Sequence, residues 1–510
     1  MVLPLATAVV LSILGAVALL VLSPHGVHAT PDSFTYLGAA DSLARGEGWT
    51  YPFGAVGAPV TLFPPLYPAL LVLPELFGIG SFAWVTWQNA LLLAVFSVVV
   101  GATVANVTRG SAGAVAIAVV LTQLGTPTIV TYARIWSESL FLPLVVGVIA
   151  CLDRYFASRR WGWLVGAGVL TSLAMLTRYA GLSIFATSCL LLALWPRRGV
   201  LDRARTLALY AGTALPLSGA WLIRNQLRSG TLTGDNNLVH GLTLADVVGG
   251  FGRIGAWFTH DPIADPTQWP FAILTVSAGV VVAVLAVLSA RRSEATEKRV
   301  PPIVPVCLAF VVVHISFIAI ADAFSTRAPP FNDRILGPAF VALVIVIVVL
   351  GHELWVGSGR RSLMRLALAG GAVSLVASST IAATTSIPGN YGTPSRAIGW
   401  YDDLSRPLTG IIDPGVALIS NRPNIAWFVL SEPVSGLPKS CRGGGVLPSP
   451  TYARDLRLLA QRLGNAPRQV LVFKNGKECA PFSLERLQNT LHVAPRARVP
   501  HIIVLDDLPP

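Results

Sequence analysis

The feature that most constrains this chain is a series of apolar runs, each long enough to cross a bilayer, separated by short polar breaks. A hydrocarbon core about 30 Å thick takes roughly 20 helical residues per crossing, and runs of this length satisfy their backbone there as helices. Runs and breaks give eleven candidate spans, at roughly 2–22, 81–104, 111–130, 138–152, 162–177, 180–195, 206–222, 271–290, 303–321, 335–352 and 364–384. Composition agrees: with 53% hydrophobic and 12% charged residues and a mean hydropathy of +0.65, lipid must cover much of the surface.

The net charge of +12 does not point to nucleic acid, because Arg and Lys fall in short loops between apolar runs and form no continuous basic face. The positive-inside rule accounts for them. With the N-terminus cytoplasmic, the inside turns carry Arg109; Arg154, Arg159 and Arg160; Arg197, Arg198, Arg203 and Arg205; Arg291, Arg292, Lys298 and Arg299; and Arg360, Arg361 and Arg365. Every inside turn is then basic, as expected of a multi-pass plasma-membrane protein, and the excess of Arg over Lys fits a GC-rich bacterial genome, which would make this a cell-envelope protein. The run Val2 to Leu22 lacks a basic leader segment and reads as a retained first helix. The Asn106-Val107-Thr108 sequon falls inside and is a chance match.

The outer side then holds a loop at 23–80, links at 132–137 and at Arg178, a loop at 224–270, a link at 322–334 and the tail after Thr385. Residues 1–385 are expected to form a membrane module, and 386–510 an extracytoplasmic domain. In the tail, short apolar stretches (Val416 to Ser420, Gln469 to Phe473, Ile502 to Leu505) alternate with amphipathic ones, which predicts a small α/β domain of parallel strands. The glycines at 443–445 sit in no phosphate-loop pattern. Cys151, Cys189 and Cys307 lie in apolar runs as small core residues, while Cys441 and Cys479 either pair in an oxidising compartment or stay free.

The first outer loop is the most informative stretch. Asp32 follows the first span, and Tyr36, Leu37, Ala40, Leu43 and Ala44 recur at helical spacing, predicting a short amphipathic helix on the membrane surface with Asp32 at its N-cap. Pro64 and Pro65 then break any helix before Tyr67, so the apolar stretch that follows reads as a second interfacial helix. His25, His28, His240, His260 and His314 have no metal-ligand spacing and read as interfacial or loop residues. Trp221 and Trp257 fit interfacial anchors. Asp235, Asp246, Asp261 and Asp265 either line an acceptor groove or, as the commoner use of such residues, belong to a solvated loop.

Taken in order, these pieces resemble the GT-C superfamily of polyprenyl-phosphate-sugar-dependent glycosyltransferases, nearest the protein O-mannosyltransferase and aminoarabinose transferase branch. The resemblance rests on the Asp32-led helix with Tyr36, Arg45-Gly46-Glu47-Gly48-Trp49, Pro64-Pro65-Leu66-Tyr67-Pro68 and Leu76-Phe77-Gly78. It continues in Tyr132-Ala133-Arg134-Ile135-Trp136-Ser137-Glu138, Leu176-Thr177-Arg178-Tyr179 and Phe331-Asn332-Asp333-Arg334, and covers residues 1–350 in order and spacing. Two departures are Ser33 where many members carry Glu, and Phe63 where the aminoarabinose branch carries Lys.

The resemblance implies Asp32 as catalytic base and basic outer-face residues as ligands of the lipid phosphate. A glycosyl phosphodiester already carries a good leaving group, so transfer to a hydroxyl needs a proton acceptor and cations for the charge growing on phosphate. Arg178, Arg327 and Arg334 are the candidate phosphate ligands, since guanidinium meets phosphate bidentately. Tyr36 and Tyr67 are candidate substrate contacts. Glu138 either accepts the acceptor hydroxyl, helps place a metal, or pairs with Arg134. No metal ligand set or other cofactor is assigned. The expected fold is thus an α-helical polytopic membrane protein with a small C-terminal α/β domain. Its expected substrates are a polyprenyl-phosphate sugar and a glycan, lipid or protein acceptor. A transporter or flippase, or a catalytically silent relative, would reuse the same charges; a transporter calls for ionisable groups inside spans and a helical repeat, and no repeat is visible.

Overall fold

The computed structural model describes residues 2–79, 81–195, 199–234, 244–259, 301–323, 332–357 and 362–391, and in the tail 408, 410–439, 441–442, 447–464, 467–473, 482–499 and 502–507. The chain divides into two compact units: Met1–His28, Thr61–Tyr67 and Trp84–Thr393 in the first, and Ala29–Val60, Pro68–Ala83 and Pro394–Pro510 in the second.

The first unit is helical. It comprises α1 (Val2–Leu22), α4 (Ser81–Val107), α5 (Ala112–Leu124), α6 (Thr126–Tyr132), α7 (Glu138–Ser158), α8 (Trp161–Thr177), α9 (Gly181–Leu194) and α10 (Val200–Ser229). Then follow α11 (Leu244–Thr259), α12 (Ile303–Ala323), α13 (Asp333–Gly357) and α14 (Ser362–Tyr391). Seven described helices are long and apolar enough to cross a membrane, eight if α5 and α6 count as one span; α8 and α9 are apolar but shorter. The run expected at 111–130 is bent by 60° between α5 and α6, because Gly125 is extended and Pro127 opens the next helix. The span expected at 271–290 lies outside the described residues.

Lipid offers apolar helices no hydrophobic gain for meeting one another, so close approach at small residues does that work. A methyl group built on Gly168 of α8 would stand 1.8 Å from Thr213 Oγ1 of α10, which makes this crossing specific to glycine. Lipid-facing positions stay apolar and exposed, among them Val10, Leu14 and Val17 on α1.

The second unit is built on a six-stranded sheet of order β1-β3-β2-β6-β8-β7, where β1 is Phe53–Gly54, β2 Ala417–Ser420, β3 Val434–Gly436, β6 Arg468–Phe473, β7 Val493–Val499 and β8 Ile502–Asp507. A short hairpin of β4 (Cys441–Arg442) and β5 (Leu447–Pro448) stands apart. The expectation of parallel strands holds for three of the five strand pairings in this sheet. β1, β3, β2 and β6 run parallel, whereas β8 pairs antiparallel with both β6 and β7. Helices α16 (Tyr452–Leu463) and α17 (Leu484–Leu491) bury Leu456, Leu487 and Leu491 against Val470, Val472 and Leu505.

Strand β1 and a helix of this unit come from the segment between the first two long apolar runs, read above as an outer loop. Helix α2 (Pro31–Ala44) differs from the amphipathic surface helix expected: Phe34, Tyr36, Leu37, Gly38, Ala39 and Ala40 are all buried, so protein covers more than one of its faces. A Cβ on Gly38 would stand 2.7 Å from the Phe53 ring and 3.1 Å from Pro52. Gly38→Ala is therefore expected to cost about 1–3 kcal/mol through overpacking, read as a lowered thermal midpoint in detergent, whereas Gly46→Ala would strain the backbone without any clash. The segment after Pro65 forms a short helix, α3 (Leu66–Val72), continued by a 3-10 turn at Leu73–Phe77.

Candidate active site

In the first unit three helix ends converge. Helix α7 begins at Ser137 and Glu138 after an irregular link whose backbone is pinned: Asn89 Nδ2 donates to the carbonyls of Tyr132 (3.0 Å) and Arg134 (2.7 Å), and Tyr132 Oη donates to the Ser139 carbonyl at 3.0 Å. His28 N–H donates to Ala133 O (2.8 Å), and Ile135 N–H to His28 O (3.1 Å). Helix α8 ends at Arg178, where the backbone turns extended (φ −151°, ψ 139°) and throws the side chain off the helix axis. Helix α13 begins beside Asn332, whose Oδ1 accepts from Ile335 N–H at 3.1 Å, and places Arg334 in its first turn.

The side chains at these ends form one ionic cluster. Glu138, 2% exposed, takes Arg178 Nη1 at 2.8 Å on Oε1, hydrogen bonds Arg334 Nε through the same oxygen, and accepts Arg334 Nη2 at 3.3 Å on Oε2. Arg178 Nη1 also donates to Ser137 Oγ at 2.9 Å. The Arg334 guanidinium carbon lies 4.2 Å from the Trp136 ring centre and that of Arg134 lies 4.9 Å from it, within cation–π range. Two guanidiniums against one carboxylate leave this trio one positive charge in excess. Glu138 also stands in the first turn of α7, where the helix dipole favours an anion.

The cluster borders a cavity of about 520 Å³ whose lining is mainly apolar and includes Phe141, Leu182, Leu222, Phe317, Ile318 and Pro338, together with Tyr179, Trp221 and His314. Tyr179 Oη donates to Thr61 O (2.7 Å) and accepts from Asn225 Nδ2 (3.1 Å) and Trp221 Nε1 (3.3 Å). Burial raises its pKa above the ordinary tyrosine value while those two donors pull the other way, so the hydroxyl keeps its proton. His314 Nε2 faces the Ile335 carbonyl at 3.1 Å and must carry a proton there; Nδ1 faces Ser183 Oγ at 2.8 Å.

No protein-family model matches the chain, and neither does any curated sequence. Solved structures do. The aminoarabinose transferase ArnT from Cupriavidus metallidurans, bound to undecaprenyl phosphate, superimposes over 99% of this chain and 98% of its own at a TM-score of 0.56 and 15% identity. The arabinofuranosyltransferase AftD from Mycobacteria matches 98% of this chain at a TM-score of 0.58 and 15% identity, and this chain spans 39% of AftD. The chain has the GT-C fold. At such identity the likeness reaches no further than the fold, so activity has to be argued from the side chains.

Within the GT-C fold, the structure brings together Glu138, Arg178 and Arg334. Arg327 lies outside the described residues, as do Asp235, Asp261, Asp265 and Cys479. Tyr67 is fully buried in the first unit and does not line the cavity. Asp32 and Tyr36 belong to the second unit, on α2, with Asp32 half-buried and Tyr36 buried. Asp32 is not the helix cap. Thr30 is, with Ser33 N–H donating to its Oγ1 (3.4 Å) and Thr30 N–H donating to Ser33 Oγ (2.9 Å).

Several readings need correction. Glu138 pairs with Arg178 and Arg334 rather than Arg134, whose Nη1 donates to Val130 O at 3.0 Å. Trp221 and Trp257 are buried to within 8% and 7% exposure and hydrogen bonded to Tyr179 and to Asp333 Oδ1 (2.8 Å), so they are packed polar contacts rather than interfacial anchors. His314 is neither interfacial nor in a loop, but buried in the apolar α12. Its signal was present in the sequence: a lone ionisable residue within a membrane span marks a functional position by default. Among the described residues no three His, Cys, Asp or Glu side chains gather in one place.

Proposed function

We propose that this chain is a membrane glycosyltransferase that moves a sugar from a polyprenyl-phosphate donor to an acceptor hydroxyl at the outer face of the bacterial plasma membrane. The observation that carries the proposal is the apolar cavity bordered by Arg178, Glu138 and Arg334. An isoprenoid lipid phosphate has the matching shape: a greasy chain for the apolar wall and an anion for the net positive end.

In the proposed reaction the acceptor oxygen attacks the anomeric carbon and the bond from that carbon to the phosphate oxygen breaks. The electron pair leaves with polyprenyl phosphate, whose charge grows by one and is met by the two guanidiniums. The acceptor proton passes to Asp32. Asp32 follows His28 by four residues in the chain, and His28 is hydrogen bonded to the link that leads to Glu138. The extracytoplasmic side of the cluster is supported by the basic turns assigned to the opposite side.

The test uses purified full-length protein in nanodiscs with radiolabelled polyprenyl-phosphate sugars, and scores release of polyprenyl phosphate. Turnover is expected with at least one sugar, and Arg334→Leu should raise the donor KM at least tenfold. Movement of intact labelled lipid between leaflets without cleavage would instead establish a flippase.

A further inference from the structure

Helix α15 (Pro423–Leu430), from the tail, packs on α2, from the first outer loop. Phe428 meets Phe34 edge to face with ring centres 5.3 Å apart, and Trp427 lies 5.4 Å from Phe53. Trp427 is 1% exposed, and its Nε1 donates to Asp41 Oδ2 at 3.3 Å. Asp41 is also ion-paired to Arg45, which in turn holds Glu47 at 2.9 Å. Phe53 is stitched into the sheet opposite Val434, whose N–H donates to Pro52 O at 3.2 Å.

At 100° per residue, Phe34, Gly38, Asp41 and Arg45 share one face of α2 within about 60° of each other, and Asp32 stands about 160° around the axis from Phe34. The tail therefore grips the side of α2 opposite the one that presents Asp32. A buried indole N–H has a single donor direction, and satisfying it on Asp41 fixes the roll of α2 as well as its distance.

We propose that Trp427 is a positioning residue for the transfer reaction, acting through Asp41 and Phe53 to fix the rotation of α2 and so the carboxylate of Asp32. This rests on Asp32 as the base, and it gives the tail a task distinct from acceptor recognition.

The test has two arms in the full-length protein. By hydrogen–deuterium exchange, Trp427→Leu is expected to speed exchange of the Phe34 to Asp41 amides at least tenfold while Val470 and Val504 in the sheet stay protected. In donor turnover, kcat is expected to fall at least fivefold with the donor KM within twofold, and Trp427→Phe, which keeps the ring packing, should restore part of the loss. If Trp427→Leu also unprotects β6 and β8, Trp427→Phe and Asp41→Asn decide by the same two readouts. Unchanged exchange in α2, or a loss confined to donor KM, overturns the inference. Asp32→Asn serves as the control: full turnover in that variant defeats the base assignment itself, whereas lost turnover there with wild-type kcat in Trp427→Leu defeats only the positioning role.

Discussion

Asp32→Asn is expected to abolish measurable sugar transfer, lowering kcat by about 10²–10⁴-fold, the range a positioned general base supplies. The substitution is clean for structural reasons. Thr30 and Ser33 cap the helix, so the cap survives, and the buried positions of α2 are Phe34, Tyr36, Leu37, Gly38 and their neighbours rather than Asp32. The stability lost includes the interaction of one carboxylate with the first turn of a helix, about 0.3–1 kcal/mol. In the proposed reaction donor binding rests on Arg178 and Arg334, which the change leaves alone. Lipid-phosphate binding should therefore persist while transfer stops. Transfer assays paired with a thermal midpoint and a polyprenyl-phosphate binding curve check this, and wild-type turnover would remove Asp32 from the mechanism.

What the sequence conveyed and what it withheld divide along the range of the interactions involved. Apolar run length is a local property, so the spans at 2–22, 138–152 and 303–321 correspond to α1, α7 and α12. Arg178 and Glu138 were legible for a related reason: a charge beside a long apolar run must sit at its end or face a cavity. Their pairing was not legible. Residues 138, 178 and 334 meet only because three helices end at one level, and nothing local distinguishes Arg178 from Arg134 as the partner of Glu138. The same holds for Trp427 on Asp41, separated by 386 residues. In the tail, alternating apolar and amphipathic stretches announced an α/β unit. Strand direction was misjudged at β8, because β7 and β8 follow each other without a helix and pair antiparallel, and β1 was missed because it comes from a loop more than 300 residues away. Trp221 and Trp257 were misread since an indole near the end of a span is equally suited to lipid headgroups and to a buried acceptor.

Glu138→Gln should produce two effects that pull in opposite directions, and their combination separates a substrate site from a structural ion cluster. Glu138 is buried and bridges two guanidiniums that are themselves only 17% and 16% exposed. Removing one member of such a group costs about 3–5 kcal/mol, because the charges left behind are desolvated without a partner. The thermal midpoint of the lipid-free protein is therefore expected to fall clearly. The same change raises the excess charge of the trio from one to two, which favours an incoming phosphate. Polyprenyl phosphate should then bind roughly tenfold tighter, about 1.4 kcal/mol, and restore more stability to the variant than to the wild type, since stabilisation by a ligand grows with its concentration over Kd. Turnover should drop as the product phosphate leaves more slowly. Arg334→Leu reverses the pattern, with weaker lipid binding and no rescue. A purely structural cluster predicts destabilisation in both variants and no difference in the response to polyprenyl phosphate, so titrating that lipid against the midpoints of the three proteins distinguishes the two accounts.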